Sequence, residues 1–353
     1  MLSMAVAAPP TIQTKPLRER LAPLVIPTVF VLIFATVLMV APASWPKLIT
    51  GILLPGLTLA AIYFMISAGL SLIFGLMDVL NFAHGSLFML GGYCAWTCNV
   101  WLDPNYAGHW PITIASGNLR FIIGLIVGTL VGAAVGSLIE ISLIRPLYKR
   151  PIYQVLLTLG LVFVFDALVR TIPAWGSLSR APIKPPMLTE SLSLLGRRFP
   201  SYSLFLICLS VSLAVLIALV LRRSRIGLTI RAGVQDSAMV EAMGINVRRV
   251  FTGVFGFGSG LAALGGAVAA SFIGVYPEMG LEYQLFAFIV VVIGGLGSYS
   301  GAAAGALLIG LARTFSDHLV LETGLPTAIA SASTVLVMAV VLLLKPGGIF
   351  NKN

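Results

Sequence analysis

A chain of 353 residues that is 58% hydrophobic and only 10% charged, with a mean hydropathy of +1.02, excludes a soluble globular protein. Its apolar runs reach the roughly 20 residues a membrane-crossing helix needs and lack the alternation of barrel strands, so the sequence predicts an all-α polytopic integral membrane protein. The net charge of +10 could fit nucleic acid, but the 22 Lys and Arg cluster in short loops beside apolar runs; they read as topology determinants, with lipid and not nucleic acid as the partner.

Residues 1–22 form a polar N-terminal extension carrying Lys15, Arg18 and Arg20. The first apolar run, Leu24 to Val40, is followed by Ala41-Pro42-Ala43, which resembles a signal-peptide cleavage triplet. The run exceeds the roughly 7–15 residues of a signal core, so an uncleaved first span is expected, opening a transmembrane domain over 23–353. Further spans fall near 50–76, 82–102, 119–144, 152–172, 202–221, 250–273, 283–296, 301–315 and 326–344, ten in all, with the eighth and ninth short.

Placing the N-terminus in the cytoplasm puts Lys15, Arg18, Arg20, Arg145, Lys149, Arg150, Arg222, Arg223, Arg225, Arg231, Arg248, Arg249, Lys345 and Lys352 in inside loops. Only Lys47, Arg120, Arg180, Lys184, Arg197 and Arg198 fall outside, and Arg170 and Arg313 lie at outer helix ends. This positive-inside bias, with Trp45, Trp101, Trp110 and Trp175 in or beside outer loops, makes both termini cytoplasmic.

The second and third spans meet at Met77-Asp78-Val79-Leu80-Asn81-Phe82-Ala83-His84-Gly85, an acid, an amide and an imidazole between two strongly apolar segments. Removing such groups from water without partners costs several kcal/mol each, so they line a cavity, face protein or lie at a membrane boundary. Two readings stand side by side: a cytoplasmic turn with Asp78 or Asn81 capping the next helix, and a border of a solute path.

In the fourth span Gly124, Gly128, Gly132 and Gly136 share one helix face, a seam that lets another backbone approach closely, and Glu140 continues the stripe. Ala262, Gly266, Ala270 and Gly274 form a second small-residue stripe in the seventh span. Cys94, Cys98 and Cys208 all lie in apolar segments and match no metal signature, so burial is expected. Asp166 with Arg170 and Arg313 with Asp317 stand four apart near outer span ends, where mutual ion pairing is the first reading and an ion site the second. The proline-rich segment 173–200 is an outer loop that fits an extracytoplasmic partner.

The inner loop 222–249 begins Arg222-Arg223-Ser224-Arg225 and leads into RAGVQDSAMVEAMGINVRR. Asp236 can cap a short helix from Ser237 to Met243, and Gly244 can end it. Met239, Val240 and Met243 would form an apolar ridge for a protein groove or, alternatively, the membrane surface. Further on, Ile293-Gly294-Gly295-Leu296-Gly297-Ser298 separates the eighth and ninth spans. This break and the one at Asp78 to Gly85 both lie inside, each between a descending and an ascending helix, and paired breaks of that kind point to a transport pathway. Asp78, Asn81, Phe82, His84, Gly85, Gly294, Gly295 and Gly297 are therefore the candidate path residues.

GLSLIFGLMDVLNFAHGSLFMLGGY, IRPLYKRP followed by LLTLGL, RAGVQDSAMVEAMGINVRRV, VVVIGGLGSYSGAAAGALLIG and the closing KPGGIF occur in that order. In these stretches the chain resembles the LivH-type permeases of branched-chain amino acid ABC importers, from about Leu53 onward. The resemblance implies a subunit of the bacterial inner membrane that pairs with a LivM-like second permease, two cytoplasmic ATP-binding subunits and a periplasmic solute-binding protein. It also implies that Asp236, Met239, Glu241, Ala242, Met243 and Gly244 form the ATPase-coupling segment, in an EAA-x-x-x-G-like pattern where Met243 replaces the second alanine. No cofactor is expected on this chain; ATP and Mg would be used by the partner ATPases. It contains no G-x-x-x-x-G-K-[ST] loop, and His84, His109 and His318 are too scattered for a metal cluster. The alternatives are the same machine for urea or short amides, an ion-coupled secondary transporter using Asp78, His84 or Glu140, and, weakest, an intramembrane enzyme.

Overall fold

The structure, a computed structural model, describes residues 49–106, 108, 110–176, 178–194, 197–223, 227, 237–244 and 246–350. The expected first span and Asp236 lie outside these residues. From Ile49 onward each expected span coincides with a helix: α1 Leu54–Met77, α2 His84–Trp101, α3 Gly117–Ile139, α4 Pro151–Thr171, α5 Ser201–Arg223, α7 Val247–Ile273, α8 Met279–Gly294, α9 Tyr299–Thr323 and α10 Ala328–Leu344. The short helix α6, Ser237–Ala242, precedes α7. Six described segments are long and apolar enough to cross a membrane, Ile49–Met77, Gly117–Leu147, α4, α5, α7 and α9, and α8 and α10 are shorter apolar helices.

Local chemistry sets the ends. Proline opens α4, where the missing N–H would in any case have no helical acceptor, and α1 continues from a π turn at Ile49–Leu53 with Pro55 in its first turn. Ser116, Asn246 and Ser298 cap α3, α7 and α9, their side-chain oxygens accepting from the N–H of Leu119, Arg249 and Gly301 at 3.4, 3.1 and 3.1 Å. Gly324, at φ +67°, ends α9.

Several expectations are corrected. The ninth span is not short: α9 runs on to Thr323, because Arg313 and Asp317 neutralise each other at 3.2 Å and the helix continues past them. Segment 173–200 is not only loop; β1 Ser191–Leu194 and β2 Arg197–Pro200 pair antiparallel, Leu192 opposite Phe199, in an otherwise helical fold. Cys208 is exposed on α5, whereas Cys98 is buried and Cys94 half-buried.

Helix α7 runs through the centre against α1, α2 and α3, with α8 and α9 alongside α1. Its approach is backbone to backbone: a Cβ on Gly258 would meet the Gly69 carbonyl at 2.9 Å, and one on Gly266 would overlap the Phe88 carbonyl. The stripe on α3 is the same kind of seam, and both of its partners are in this chain. Added methyls would meet the Ala95 carbonyl at 2.9 Å from Gly124 and the Gly91 carbonyl at 2.7 Å from Gly128, and would overlap Ala263 from Gly132 and Ser259 from Gly136.

The segments expected outside gather at one end. Arg180 pairs backbone to backbone with Val275 at 2.8 and 3.1 Å, Trp175 Nε1 donates to Thr97 Oγ1 at 2.7 Å, and the Arg180 guanidinium lies over Trp96. Trp175 is therefore buried, an anchor for this loop and not part of an aromatic belt. Arg170 bridges Asp166 at 3.0 Å and Glu278 at 2.7 Å, and its hydrogen bond holds the Glu278 carboxyl below the usual range.

Candidate functional site at the two helix junctions

Helix α1 stops at Asp78, whose backbone is left-handed (φ 53°) and whose N–H still bonds to the Phe74 carbonyl at 2.9 Å. Among the described residues it is the one non-glycine with positive φ, so the stop depends on a residue type that tolerates this region. Its side chain is exposed; beyond it the chain turns inward and Asn81, His84 and Gly85 are buried. Asn81 Oδ1 accepts from the Ala83 N–H at 3.0 Å, a local turn just ahead of α2.

The turn is also stitched to distant helices. Gly85 N–H donates to Gln284 Oε1 at 2.6 Å, and Gln284 Nε2 to the Asn81 carbonyl at 3.4 Å, so one amide on α8 holds both sides of the turn. His84 Nε2 lies 3.1 Å from the Ile66 carbonyl and packs beside Gly69 on α1. Phe82 stacks on Phe288 with ring centroids 5.1 Å apart, and Thr158 of α4 reaches the Leu80 carbonyl at 3.5 Å. Two polar atoms remain buried without a hydrogen-bond partner, Asn81 Nδ2 and His84 Nδ1. Buried orphans of this kind call for an explanation beyond packing.

The second junction lies against the first. Gly295 (φ +99°) and Gly297 (φ +77°) turn the chain between α8 and α9, and a Cβ on Gly75, near the end of α1, would stand 2.7 Å from the Gly297 carbonyl. Gly294 and Gly301 touch so closely that a methyl on either would overlap the other's backbone. From beyond α10, the N–H groups of Ile349 and Phe350 donate to the carbonyls of Ile293 and Gly294 at 2.8 and 3.0 Å. Asn81, Phe82, His84 and Gly85 are thus drawn into one neighbourhood with Gln284 and Phe288 of α8, and Asp78 stands exposed beside it; of the second junction, Gly297 meets the end of α1 at Gly75, while Gly294 and Gly295 close onto Gly301 and Gly348.

The described coupling candidates, Met239, Glu241, Ala242, Met243 and Gly244, lie on or just after α6, which meets α7. On α6 Val240 is buried, whereas Met239 and Met243 are each 60% exposed and Glu241 is exposed. Gly244, at φ +82°, turns the chain toward Asn246 and α7. Ala242 closes α6.

Sequence reasoning missed Gln284, a buried amide that heads the apolar run 285–293 of α8. The available signal was its polarity inside a span, where an amide needs a partner. Among the described residues no group of His, Cys, Asp and Glu could hold a metal ion.

Spanning helices with buried polar groups at paired junctions define a multi-pass membrane protein. Residues 52–344 match the family described as branched-chain amino acid transport system / permease component, and the chain belongs to that family. It is 27% identical to the high-affinity branched-chain amino acid transport system permease protein LivH of Escherichia coli K12, over 84% of this chain and 94% of that protein. It is 28% identical to the BraD permease of Pseudomonas aeruginosa over 74% of this chain and 84% of that one, and 24% identical to a probable LivH of Methanocaldococcus jannaschii over 81% and 87%. No solved structure matches it.

Proposed function

We propose that this chain is the permease subunit of an ATP-driven importer for branched-chain or related amino acids, resident in a bacterial inner membrane with both termini in the cytoplasm. Its partners are a LivM-like permease, two cytoplasmic ATP-binding subunits that hydrolyse ATP with Mg, and a periplasmic solute-binding protein. Loaded binding protein docks on the face of the 173–200 segment, ATP closes the ATPases, and α6 passes that motion to the spans lining the path. Asn81 and His84 border the cytoplasmic half of that path, a reading supported by Asn81 Nδ2 and His84 Nδ1, which are buried without a hydrogen-bond partner.

The observation that carries this reading is the pair Met239 and Met243. Two flexible apolar side chains stand exposed on or just after the short helix α6, in a loop otherwise basic. A six-residue helix is marginal alone and needs a partner groove. Met243→Asp is expected to abolish ATP-driven uptake in proteoliposomes and to release the ATPase subunits in a pull-down, while loaded binding protein still binds the far side. Full uptake with the ATPases retained would leave α6 as a membrane-surface helix and remove the main physical support for ATP coupling.

A further inference from the structure

Where α3 leaves its regular winding, one fully buried carboxylate is held on every side. Glu140 is 0% exposed and opens a π turn, Glu140–Ile144, that continues into a 3-10 turn at Arg145–Leu147. In an α-helix residues five apart point about 140° away from each other, but the π turn's i to i+5 winding brings them onto one side. The backbone N–H of Arg145 bonds to the Glu140 carbonyl, and its guanidinium then grips the same residue's carboxylate twice, Nε to Oε1 at 3.2 Å and an Nη2 to Oε2 at 2.9 Å.

Two hydroxyls complete the set. Tyr148 OH donates to Glu140 Oε1. Thr252, on the second turn of α7, donates to Glu140 Oε2 at 2.7 Å and accepts from Arg145 at 2.5 Å, with the Arg248 carbonyl at 2.9 Å as the alternative acceptor of its single proton. The Tyr148 ring also meets Phe251 edge to face, centroids 5.9 Å apart. Four hydrogen bonds occupy the acceptor sites of the carboxylate, which leaves none for a coupling ion.

The location gives this network its meaning. Helix α7 begins three residues after Gly244, so anything that moves α6 arrives first at residues 246 to 252. Beyond that point α7 is one continuous helix to Ile273, packed closely against α1, α2 and α3, with backbone contact at Gly258 and Gly266. We propose that Glu140, with Arg145, Tyr148 and Thr252, is the anchor that makes the start of α7 and the inner end of α3 move as one body, so that ATPase motion reaches the path instead of bending α7's first turns. Glu140 is a positioning residue: it acts through Thr252 and touches no solute. The inference rests on the coupling role of α6 proposed above and adds the joint that carries its motion inward.

Removing Glu140 alone leaves the part-buried Arg145 guanidinium unpaired and opens a gap at a fully buried position, which can compromise folding. The informative variants therefore each delete one hydroxyl, Thr252→Val and Tyr148→Phe, with Glu140→Gln beside them and Thr252→Ser as the conservative control. The complete complex, in proteoliposomes with loaded binding protein, is assayed for uptake, ATP hydrolysis and yield. The expected result is uptake per ATP lowered about threefold by Thr252→Val and Tyr148→Phe and about tenfold by Glu140→Gln. Hydrolysis and complex yield stay near those of the unsubstituted chain in the two hydroxyl variants, and Thr252→Ser restores the ratio. A normal uptake-to-hydrolysis ratio in Thr252→Val and Tyr148→Phe, or a loss of uptake that merely follows lost yield, overturns the anchor while leaving the transport function standing. If the unsubstituted complex itself shows no ATP-driven uptake, that function falls and the anchor with it.

Discussion

Helices α1 and α7 differ from α4 and α5 in what surrounds them. The most apolar stretches of α1 and α7 are 78% and 83% buried within the chain, those of α4 and α5 only 22% and 17%, although all are apolar enough to span. In lipid, hydrophobicity does not decide which helices meet, because the acyl chains are as apolar as leucine. What separates the pairs is size: the central helices carry the glycines and other small residues that admit a neighbouring backbone, whereas α4 turns Phe163, Val164 and Leu156 outward and α5 turns Val211, Val215 and Leu216. Burial here follows from close backbone approach, and the outer helices are left to face lipid or another subunit.

Glycine substitutions break that contrast most sharply. Gly132→Leu or Gly128→Leu must push α3 off α7 and α2, since even one methyl has no room. Folded complex in detergent is expected to fall to near nothing, with a penalty at or above about 3 kcal/mol. Gly160→Leu on α4, where nothing lies within 4 Å of a Cβ, should leave yield unchanged or slightly raised by better helix propensity. Equal yields for Gly132→Leu and Gly160→Leu would erase the distinction between inner and outer helices.

A smaller effect is expected inside the central group. Asn81→Leu and His84→Leu keep the approximate volume of the first junction but remove its unpartnered nitrogens. Uptake per ATP hydrolysed should drop about fivefold while the complex still assembles, in keeping with the loss of one or two polar contacts. Normal transport by both would make the junction a turn and nothing more. The least effect belongs to the rim: Asp317→Asn removes a pair whose carboxylate is 43% exposed, and the melting temperature should barely move, a change below about 0.5 kcal/mol.

The sequence made the helices legible because apolar length is a local property, and Asp78 to Gly85 stood out because polar groups between two spans are conspicuous. Longer-range information was hidden. The partners of the glycine seam on α3 were not readable, since spacing reports a face and not what meets it. Gln284 escaped notice because its acceptor and donor, Asn81 and Gly85, lie about 200 residues away along the chain. Glu140 was visible as a continuation of the glycine stripe, but its grip on Arg145 was not, because five-residue spacing faces apart unless the helix widens to a π turn, and nothing in Glu140-Ile141-Ser142-Leu143-Ile144 announces one. Arg313 and Asp317 misled in the opposite direction, since charges taken to mark a helix end satisfy each other and let α9 continue.

The hydrogen bonds from Ile349 and Phe350 to the carbonyls of Ile293 and Gly294 carry a consequence for biosynthesis. Helix α8 enters the membrane with those two acceptors bare, and their donors are translated only after α9 and α10 have followed. The second junction is therefore closed late, by a segment whose Gly348 must adopt φ +82° directly against Gly295. A ribosome that stops anywhere in α10 releases a chain whose spanning helices are almost all made and whose junction is still open, so membrane insertion and a finished fold are separate events in the life of this protein.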